Sequence, residues 1–279
     1  MDKNQICIVI PIYKKELNSF EIQSVKQCVK ILSDYVICFV YPKGLNIKFY
    51  TTNFPKIKEY VCFDKKYFNS LAGYNKLMLN NNFYKAFKNY KYMLLYQTDC
   101  YVFRDELLAW VEKGYDYIGG VWFENFRGNP TNGAKVWFPG NGGLSLRKIK
   151  SIFNLLTSKT SLGFKKLNED KAILKIEKKF NFFKWNLVLP FRLLGYKNNF
   201  NYLSKIYKAN EDVFFMDACV KYKKLTSPSV EEAILFSWDR HPDYLFKEYK
   251  TLPFACHAWY RDEIPYEANK EFWLSKIAI

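Results

Sequence analysis

The chain has 279 residues, of which 49% are hydrophobic and 19% aromatic, and 43 basic residues outnumber 27 acidic ones to give a formal net charge of +16. This supply of apolar side chains, with only 12 glycines and 10 prolines, excludes a disordered, low-complexity or fibrous protein. The length fits either two domains or one large α/β domain, and we predict a single domain over residues 1–279.

The first half of the chain alternates apolar strand-like runs with helical patterns. The predicted strands cover residues 5–13, 35–41, 59–63, 91–98 and 115–122. The predicted helices cover residues 17–32, 70–90 and 104–113, and residues 140–146 form a glycine-rich loop that leads into a further strand. This alternation predicts a mainly parallel sheet with helices on both faces, in which ligands bind at the carboxyl ends of the strands.

Polar side chains follow the most hydrophobic predicted strand. Gln97 and Asp99 come directly after it and share one face of the chain. A carboxylate exposed at a strand end is a ligand for Mg²⁺ or Mn²⁺, which prefer oxygen donors. The alternative is that Asp99 caps the helix that begins near Arg104.

Two later segments and a histidine also carry candidate chemistry. Gly140-Asn141-Gly142-Gly143 permits close approach of backbone amides to a ligand, although tight turns use the same residues. Glu211 and Asp212 precede an apolar helix, where carboxylates either stabilise the helix start or act as a general base for a sugar hydroxyl. His257 lies among aromatics and is either a core residue or a metal ligand together with Asp99.

Most of the excess positive charge lies in residues 147–208, which hold fifteen basic residues and three acidic ones, interleaved with aromatics. Such a segment either lies on an anionic membrane surface, contacts a nucleic-acid backbone, or forms a solvated helix face above core aromatics. Of the two binding roles, the membrane surface is favoured over nucleic acid.

Six motifs occur in one order along the chain: YNKL at 74–77, YQTD at 96–99, DYIGGVW at 116–122, GNGGLSLR at 140–147, EDVFF at 211–215 and FACHAW at 254–259. This ordered set resembles the bacterial family DUF5672, regarded as glycosyltransferases, over about residues 5–146 and 208–262. The resemblance implies an α/β, GT-A-like fold with a Rossmann-type mixed, mainly parallel sheet. Residues 149–208 then form a basic, aromatic insertion within this domain.

The resemblance also implies a transferase that uses a nucleotide-sugar donor, with UDP-sugars favoured, and Mn²⁺ or Mg²⁺. In GT-A enzymes an Asp-x-Asp motif holds the metal; here Gln97 occupies the first position and Asp99 the second. His257 matches the late histidine that completes such a site. The implied donor-binding residues are Pro11, Tyr13, Asp64, Tyr74, Asn75, Lys76, Gln97, Thr98 and Asp99.

The implied reaction inverts the sugar, with Asp212 or Glu211 deprotonating the acceptor hydroxyl. The implied sugar and acceptor pocket consists of Trp122, Asn141, Gly142, Gly143 and Trp259. The expected acceptor is a glycan or a lipid-linked glycan of bacterial surface-polysaccharide biosynthesis. The expected location is the cytoplasm, peripheral to the inner face of the cytoplasmic membrane, where residues 149–208 would contact lipid.

Three alternatives stay open at this point. A nucleic-acid-binding protein would bind with steep salt dependence and would not need Asp99. A glycoside hydrolase would use Asp99 and Glu211 as paired carboxylates without a nucleotide. A catalytically degenerate sugar-binding module is the third. The seven scattered cysteines form no CxxC pair and are expected to be buried thiols in a reducing compartment.

Overall fold

One mixed β-sheet organises the fold, which the computed structural model describes over residues 2–125, 128–263, 266 and 269–277. Its strands are β1 (Ile6–Pro11), β2 (Val36–Pro42), β3 (Glu59–Phe63), β4 (Tyr92–Tyr96), β5 (Tyr101–Val102), β6 (Tyr117–Phe123), β7 (Val136–Lys148), β8 (Ser237–Trp238) and β9 (Ala255–Cys256). Their order across the sheet is β3-β2-β1-β4-β7-β6-β8-β9-β5. Strands β3, β2, β1 and β4 are parallel, whereas β7 is antiparallel to both β4 and β6. The predicted α/β fold class with a mixed, mainly parallel sheet is confirmed.

Helices lie on both faces of the sheet. They are α1 (Ser19–Ile31), α2 (Lys48–Asn53), α3 (Leu71–Met78), α4 (Asn81–Ala86), α5 (Leu107–Glu112), α6 (Ile149–Thr157), α7 (Gly163–Ile176), α8 (Phe182–Leu193), α9 (Phe200–Ile206), α10 (Glu211–Met216), α11 (Val230–Ala233), α12 (Pro242–Tyr249) and α13 (Asn269–Leu274). The single helix predicted at 70–90 is in fact two helices, α3 and α4. The chain breaks there because the Asn80 side chain accepts a hydrogen bond from Asn82 N and so caps a new helix.

Strand β1 shows why the central strands read as continuous apolar runs. Ile6, Ile8 and Ile10 pack into the cluster that includes α1, while Cys7 and Val9 face the cluster that includes α4 and α6. Since successive side chains of a strand point to opposite faces, a strand covered on both sides must be apolar throughout. All seven cysteines are free, and six of them are buried as expected, whereas Cys62 of β3 is exposed.

The segment predicted as a glycine-rich loop, residues 140–146, is instead part of strand β7. Leu144 and Leu146 pair with β4, as in a regular antiparallel ladder. On the other side the register slips, because Gly119 pairs with Ser145 while the next residue, Gly120, pairs with Asn141. Residues 142–144 therefore form a bulge without a partner on β6, next to the carboxyl end of β4.

The basic segment 149–208 divides into inner and outer helices. Helices α6 and α9 bury apolar residues such as Ile152 and Phe200 in the same cluster as β4 and α10. Helices α7 and α8 are peripheral, since Leu167 and Trp185 are their buried residues. We call residues 163–197 the α7–α8 pair. Across the described part of the chain, no helix combines the length and apolar character needed to cross a bilayer.

Candidate functional site

A cleft of about 360 Å³ opens at the carboxyl ends of β1 and β4. Six of the residues that the family resemblance assigns to donor binding line it: Pro11, Tyr13, Tyr74, Gln97, Thr98 and Asp99. The polar lining also includes Lys14, Glu21 and Arg261. The cleft thus lies where a parallel sheet presents the ends of its strands, as the sequence analysis expected for a ligand site.

Three other residues assigned to donor binding lie outside this cleft. Asp64 is exposed, where it accepts a hydrogen bond from Lys66 N and forms an ion pair with the Lys66 ammonium. Asn75 and Lys76 line a separate surface groove beyond α3. Helical rotation separates the three neighbours in α3: each residue turns by about 100°, so Tyr74 lines the cleft while Asn75 and Lys76 do not.

Asp99 and His257 meet at the end of β4. His257 Nε2 lies 3.4 Å from Asp99 Oδ1 and 3.2 Å from Gln97 Oε1. The other ring nitrogen, Nδ1, lies 2.7 Å from Asp239 Oδ1, so this carboxylate fixes the orientation of the imidazole. Gln97 Nε2 donates to the Tyr74 hydroxyl at 3.0 Å, which turns the amide oxygen toward His257. Three side chains therefore converge with their donor atoms facing one another.

The charges at this junction strongly influence one another. Burial alone would raise the pKa of Asp99, but His257 and the Arg261 guanidinium hold it below its usual range. Arg261 Nε donates to Asp99 Oδ2 at 2.6 Å. Burial likewise opposes protonation of His257, yet the carboxylates of Asp99 and Asp239 raise its pKa to about 10. The carboxylates of Asp99 and Asp239 thus stabilise a positive charge on the His257 ring between them.

These donors fit a divalent cation that shares its ligands with a substrate. A carboxylate, an amide oxygen and an imidazole nitrogen oriented by a second carboxylate are ligand types that Mn²⁺ accepts, and His257 Nε2 would give up its proton to the solvent when the cation replaces it. Within the described residues there is no cluster of three or more histidine, cysteine, aspartate or glutamate side chains that could hold a metal ion. Asp99, His257 and Gln97 would therefore need oxygens from a bound phosphate to complete a coordination sphere.

The glycines of β7 bring this junction close to the two acids of α10. A Cβ at Gly143 would come within 2.3 Å of His257 Nε2. A Cβ at Gly142 would come within 2.5 Å of Glu211 Oε1 and 3.2 Å of Asp212 Cβ. Real Cβ atoms do not approach so closely, so only glycine fits at either position. The bulged part of β7 therefore has the histidine on one side and the acids on the other.

Glu211 is one half of a buried ion pair. Its Oε1 accepts from Arg147 Nη2 at 2.9 Å, and neither side chain is appreciably exposed. Arg147 also donates to the Tyr84 hydroxyl and to Ser145 Oγ. Burial alone would lower the pKa of Arg147, but the Glu211 carboxylate raises it well above the usual value. Glu211 is thus held by the core and does not line the cleft.

Asp212 is differently placed from its neighbour. It is half-buried, and its oxygens accept from Val213 N at 2.8 Å and Gly142 N at 3.4 Å. Burial, followed by the negative charge of Glu211, raises the pKa of Asp212 to about 7. A carboxyl group with this pKa accepts a proton efficiently near neutral pH. Of the two predicted acids, Asp212 has the properties of a general base.

Both tryptophans that the family resemblance assigns to a sugar pocket are buried. Trp259 is fully buried, and its indole nitrogen donates to Ser24 Oγ at 2.7 Å. Trp122 is buried over Gly140, where any Cβ would overlap its ring. Neither ring presents a face to a ligand, because both are packed in the core. Asn141 is buried as well, and its Oδ1 accepts from Gly143 N at 2.8 Å, which shapes the bulge.

Sequence reasoning missed several residues of the site. Glu21 accepts from Lys14 Nζ at 2.7 Å and from Thr98 Oγ1 at 3.1 Å, and it also forms a capping box with Asn18. The Asn-x-x-Glu spacing was a readable signal for that cap. No sequence pattern marks Asp239 or Arg261 as site residues. Each lies in a segment outside the helices and strands, and its position depends on the tertiary fold.

Comparisons with known proteins give a family and several solved structures. A family model described as "Protein of unknown function (DUF5672)" matches residues 58–257. No curated protein matches the sequence.

Three solved structures are similar to this chain at low sequence identity. Mouse xyloside xylosyltransferase 1 in its apo form is 10% identical, with 90% of this chain and 96% of that chain covered and a TM-score of 0.46. The galactosyltransferase LgtC with donor and acceptor sugar analogs is 13% identical, with 98% and 97% covered and a TM-score of 0.44. The mannosyltransferase Ktr4p from S. cerevisiae is 11% identical, with 54% and 57% covered and a TM-score of 0.39. This chain thus spans little more than half the length of Ktr4p.

Proposed function

Because the chain belongs to the DUF5672 family, whose description assigns no activity, we propose its function from the site itself. The protein is a glycosyltransferase that moves a sugar from a nucleotide-sugar donor to a glycan or a lipid-linked acceptor. One observation carries this proposal: Asp99, Gln97 and His257 converge at the cleft, and the half-buried Asp212 lies across the glycine pair of β7. A transferase needs both a cation site for the leaving diphosphate and a base for the attacking hydroxyl.

The donor diphosphate binds at the cleft beside Asp99. Asp99, His257 and the Gln97 oxygen would hold Mn²⁺ or Mg²⁺ there, and such an ion supplies neutralisation of the charge that develops on the leaving diphosphate. Lys14 and Arg261 add positive charge to the same cleft, each half-exposed and each paired with an acidic residue. These two cations offset the carboxylates of the cleft, so a bound Mn²⁺ or Mg²⁺ would supply the net positive charge that attracts an anionic ligand.

The nucleoside part of the donor lies toward Pro11 and Tyr13. Tyr13 is exposed at the cleft, beyond the end of β1, so its ring face is available for stacking on a base. Tyr260 lies on the same cleft. We favour a uridine nucleotide on the family resemblance, and the choice of base is part of the test below.

The acceptor reacts on the Asp212 side of β7. Asp212 takes the proton of the acceptor hydroxyl while the acceptor oxygen forms a bond to the anomeric carbon of the sugar. The bond from that carbon to the diphosphate oxygen breaks, and its electrons leave with the diphosphate. Attack from the face opposite the diphosphate inverts the anomeric configuration. The raised pKa of Asp212 suits this role near neutral pH.

The biological acceptor that we propose is a glycan or lipid-linked glycan in bacterial surface-polysaccharide biosynthesis. Residues 149–208 would bring the enzyme to the inner face of the cytoplasmic membrane. Their basic and aromatic composition supports this, together with the peripheral position of α7 and α8.

The other candidate functions have weaker support from the same residues. A glycoside hydrolase that pairs Asp99 with Glu211 needs both carboxylates on the substrate, whereas Glu211 is buried against Arg147. A nucleic-acid-binding protein would leave the convergent donors of the cleft without a role. A degenerate sugar-binding module would still bind a nucleotide but would not turn over.

A thermal-shift panel tests the proposal. Wild type and Asp99→Ala are heated with UDP, GDP, CDP and their sugar conjugates, each with and without Mn²⁺. One nucleotide should stabilise the wild type in a metal-dependent way, by about 2.7 kcal/mol at a hundred times its Kd. Asp99→Ala should lose that shift. The matched control is Asp34→Ala. It removes an exposed carboxylate that is paired with Lys3 and does not line the cleft.

Turnover separates the remaining outcomes. Release of nucleoside diphosphate from the stabilising sugar conjugate, dependent on Asp99 and on added acceptor, supports a transferase. Stabilisation without any such release indicates the binding module. If every nucleotide shifts the melting temperature of Asp99→Ala as much as that of the wild type, the cleft is not the donor site.

A further inference from the structure

The α7–α8 pair exposes an unusual amount of apolar surface. Of the sixteen large hydrophobic side chains that are exposed in the described part of the chain, nine lie within residues 163–197. Three of them, Ile176, Phe183 and Leu194, are more than four-fifths exposed. Monomeric soluble proteins rarely leave such a concentration of apolar side chains in water without a binding role.

These side chains form an ordered stripe. In α8 and just beyond it, Phe183, Leu187, Phe191 and Leu194 are exposed at the spacing of one helical face. The opposite face holds Trp185, which is buried, and Arg192, which pairs with Asp170 of α7. The inner face of α8 therefore packs on α7, and its outer face is apolar and turned away from the protein.

Positive charge flanks the stripe. The pair holds nine basic residues and three acidic ones. Lys175, Lys178 and Lys184 lie exposed between Ile173 and Leu187 along the chain, and none of these three forms an ion pair within the part of the protein that the structure describes. All three acidic residues of the pair are already engaged by Lys166, Arg192, Lys179 or Lys221. The unpaired lysines thus lie where α7 ends and α8 begins, next to the exposed side chains of Ile173, Ile176 and Phe183 along the chain.

We infer that the outer surface of the α7–α8 pair is a docking site for an anionic lipid bilayer. Apolar side chains enter the boundary between headgroups and acyl chains, and the surrounding lysines contact the anionic headgroups. The inference deepens the proposed function by naming the surface that brings the enzyme to a lipid-linked acceptor. It rests on the proposed function for that purpose alone, because lipid binding itself needs neither the cleft nor Asp212.

Two other occupants fit this surface less well. A second copy of the chain in a symmetric dimer would bring two positively charged surfaces together, since the same patch is used on both subunits. A nucleic acid would need flat rings for its bases, whereas four of the nine exposed apolar side chains are aliphatic: Ile173, Ile176, Leu187 and Leu194. A bilayer accepts both features together, because its core is apolar and its surface is anionic.

Vesicle co-sedimentation tests the inference. The full chain is mixed with vesicles of phosphatidylcholine containing phosphatidylglycerol, or of phosphatidylcholine alone. Wild type should bind the anionic vesicles and bind less as salt increases. Phe183→Ser/Leu187→Ser/Leu194→Ser should reduce the partition coefficient by about tenfold or more. Lys175→Gln/Lys178→Gln/Lys184→Gln should reduce it by about a hundredfold, at about fivefold for each lysine near the membrane surface.

Matched controls exclude general effects of composition. Val220→Ser/Leu235→Ser/Tyr249→Ser removes three exposed apolar side chains elsewhere, and Lys56→Gln/Lys58→Gln/Lys88→Gln removes three exposed charges elsewhere. Both should bind vesicles like wild type. Circular dichroism and the melting temperature of each variant establish that it is folded, so a loss of binding is not a loss of structure.

Three results would overturn the inference. Wild type fails to bind anionic vesicles, or the apolar variant binds as well as wild type. Alternatively, size-exclusion chromatography without lipid shows a dimer that the apolar variant dissociates while vesicle binding is unchanged, which assigns the surface to a second copy. Asp99→Ala should still bind vesicles, and the apolar variant should still be stabilised by nucleotide. Failure of docking is thereby distinguished from failure of the transferase assignment.

Discussion

The cleft and the α7–α8 pair treat charge and apolar surface in opposite ways. At the cleft, Asp99, Asp239 and His257 are buried together, and each charge has an opposite partner within hydrogen-bonding or ion-pair distance. In the α7–α8 pair, lysines and apolar side chains are exposed side by side, and three lysines have no acidic partner there. Fixed partners hold a reacting group in place, whereas free cations and exposed apolar side chains suit a large, deformable partner.

The largest expected effect is the loss of stability when the buried ion pair between Arg147 and Glu211 is broken. Arg147→Met leaves the Glu211 carboxylate buried without its cation, and Glu211 Oε2 already has no hydrogen-bond partner among the described residues. We expect the free energy of unfolding to fall by about 3–5 kcal/mol in urea denaturation. Lys179→Met removes an exposed pair with Glu177 and should cost less than about 1 kcal/mol. Similar losses in both variants would contradict the contrast between the two regions.

Asp99→Asn tests the charge of the cleft without changing its shape. The amide keeps the volume of the carboxylate but lacks the charge that faces His257 and Arg261. We expect kcat to fall by about 10²- to 10³-fold, the scale of losing one electrostatic contact to a transition state. Asp34→Asn, at an exposed position, should stay within about twofold of wild type. Steady-state kinetics with the donor from the thermal-shift panel measures both.

The proposed role of Asp212 as the general base predicts a dependence of activity on pH. Burial is the largest cause of its raised pKa, and the Glu211 carboxylate adds to it, whereas the hydrogen bonds from Val213 N and Gly142 N and the charge of Arg147 oppose it. Below about pH 7 the carboxyl group becomes protonated, so kcat/KM should fall about tenfold per pH unit if Asp212 is the base. A profile that is flat from about pH 5 to pH 8 would exclude Asp212 from that role.

Ionisation of Asp212 is expected to lower the stability of the fold, although it should increase activity. Its folded pKa of about 7 lies above its value in the unfolded chain, so the unfolded state is favoured as Asp212 ionises with rising pH. Asp212→Asn should therefore melt at a higher temperature than wild type at about pH 8, and the difference should shrink as the pH falls toward about 4. Calorimetry at several pH values measures it.

The smallest expected effect concerns the exposed half of the comparison. Leu187→Ala in α8 removes a side chain that is 74% exposed and should change the free energy of unfolding by less than about 0.5 kcal/mol. Leu95→Ala in β4 removes one that is fully buried and should cost about 2–5 kcal/mol. A large loss from Leu187→Ala would mean that the outer face of α8 is packed in solution.

The sequence predicted the sheet and the neighbourhood of the site well, since both follow from short-range patterns. The strand at 59–63 was predicted with the observed bounds, and the rule on strand ends led to Asp99. His257 was named as its partner and lies 3.4 Å away. Apolar runs and family motifs carry this information because they depend on neighbouring residues along the chain.

The positions that the sequence did not predict depend on distant parts of the chain. Whether Trp259 faces a sugar or Ser24 is decided by packing between segments more than two hundred residues apart. The partners Asp239 and Arg261 reach the cleft only through the tertiary fold. Lys76 lines a separate groove because of the rotation of its helix, which sequence spacing alone does not orient relative to the sheet.

The glycine pair of β7 has a consequence for changes in chain length. Adjacent residues of a strand point to opposite faces about 3.3 Å apart along the chain, so Gly142 and Gly143 keep the acids and the histidine on fixed sides. Deleting or inserting one residue here would exchange the two faces and place a larger side chain against His257 or Glu211. Relatives with other acceptors should therefore differ in length at outer segments such as residues 163–197, while the number of residues between Asn141 and Leu144 stays constant.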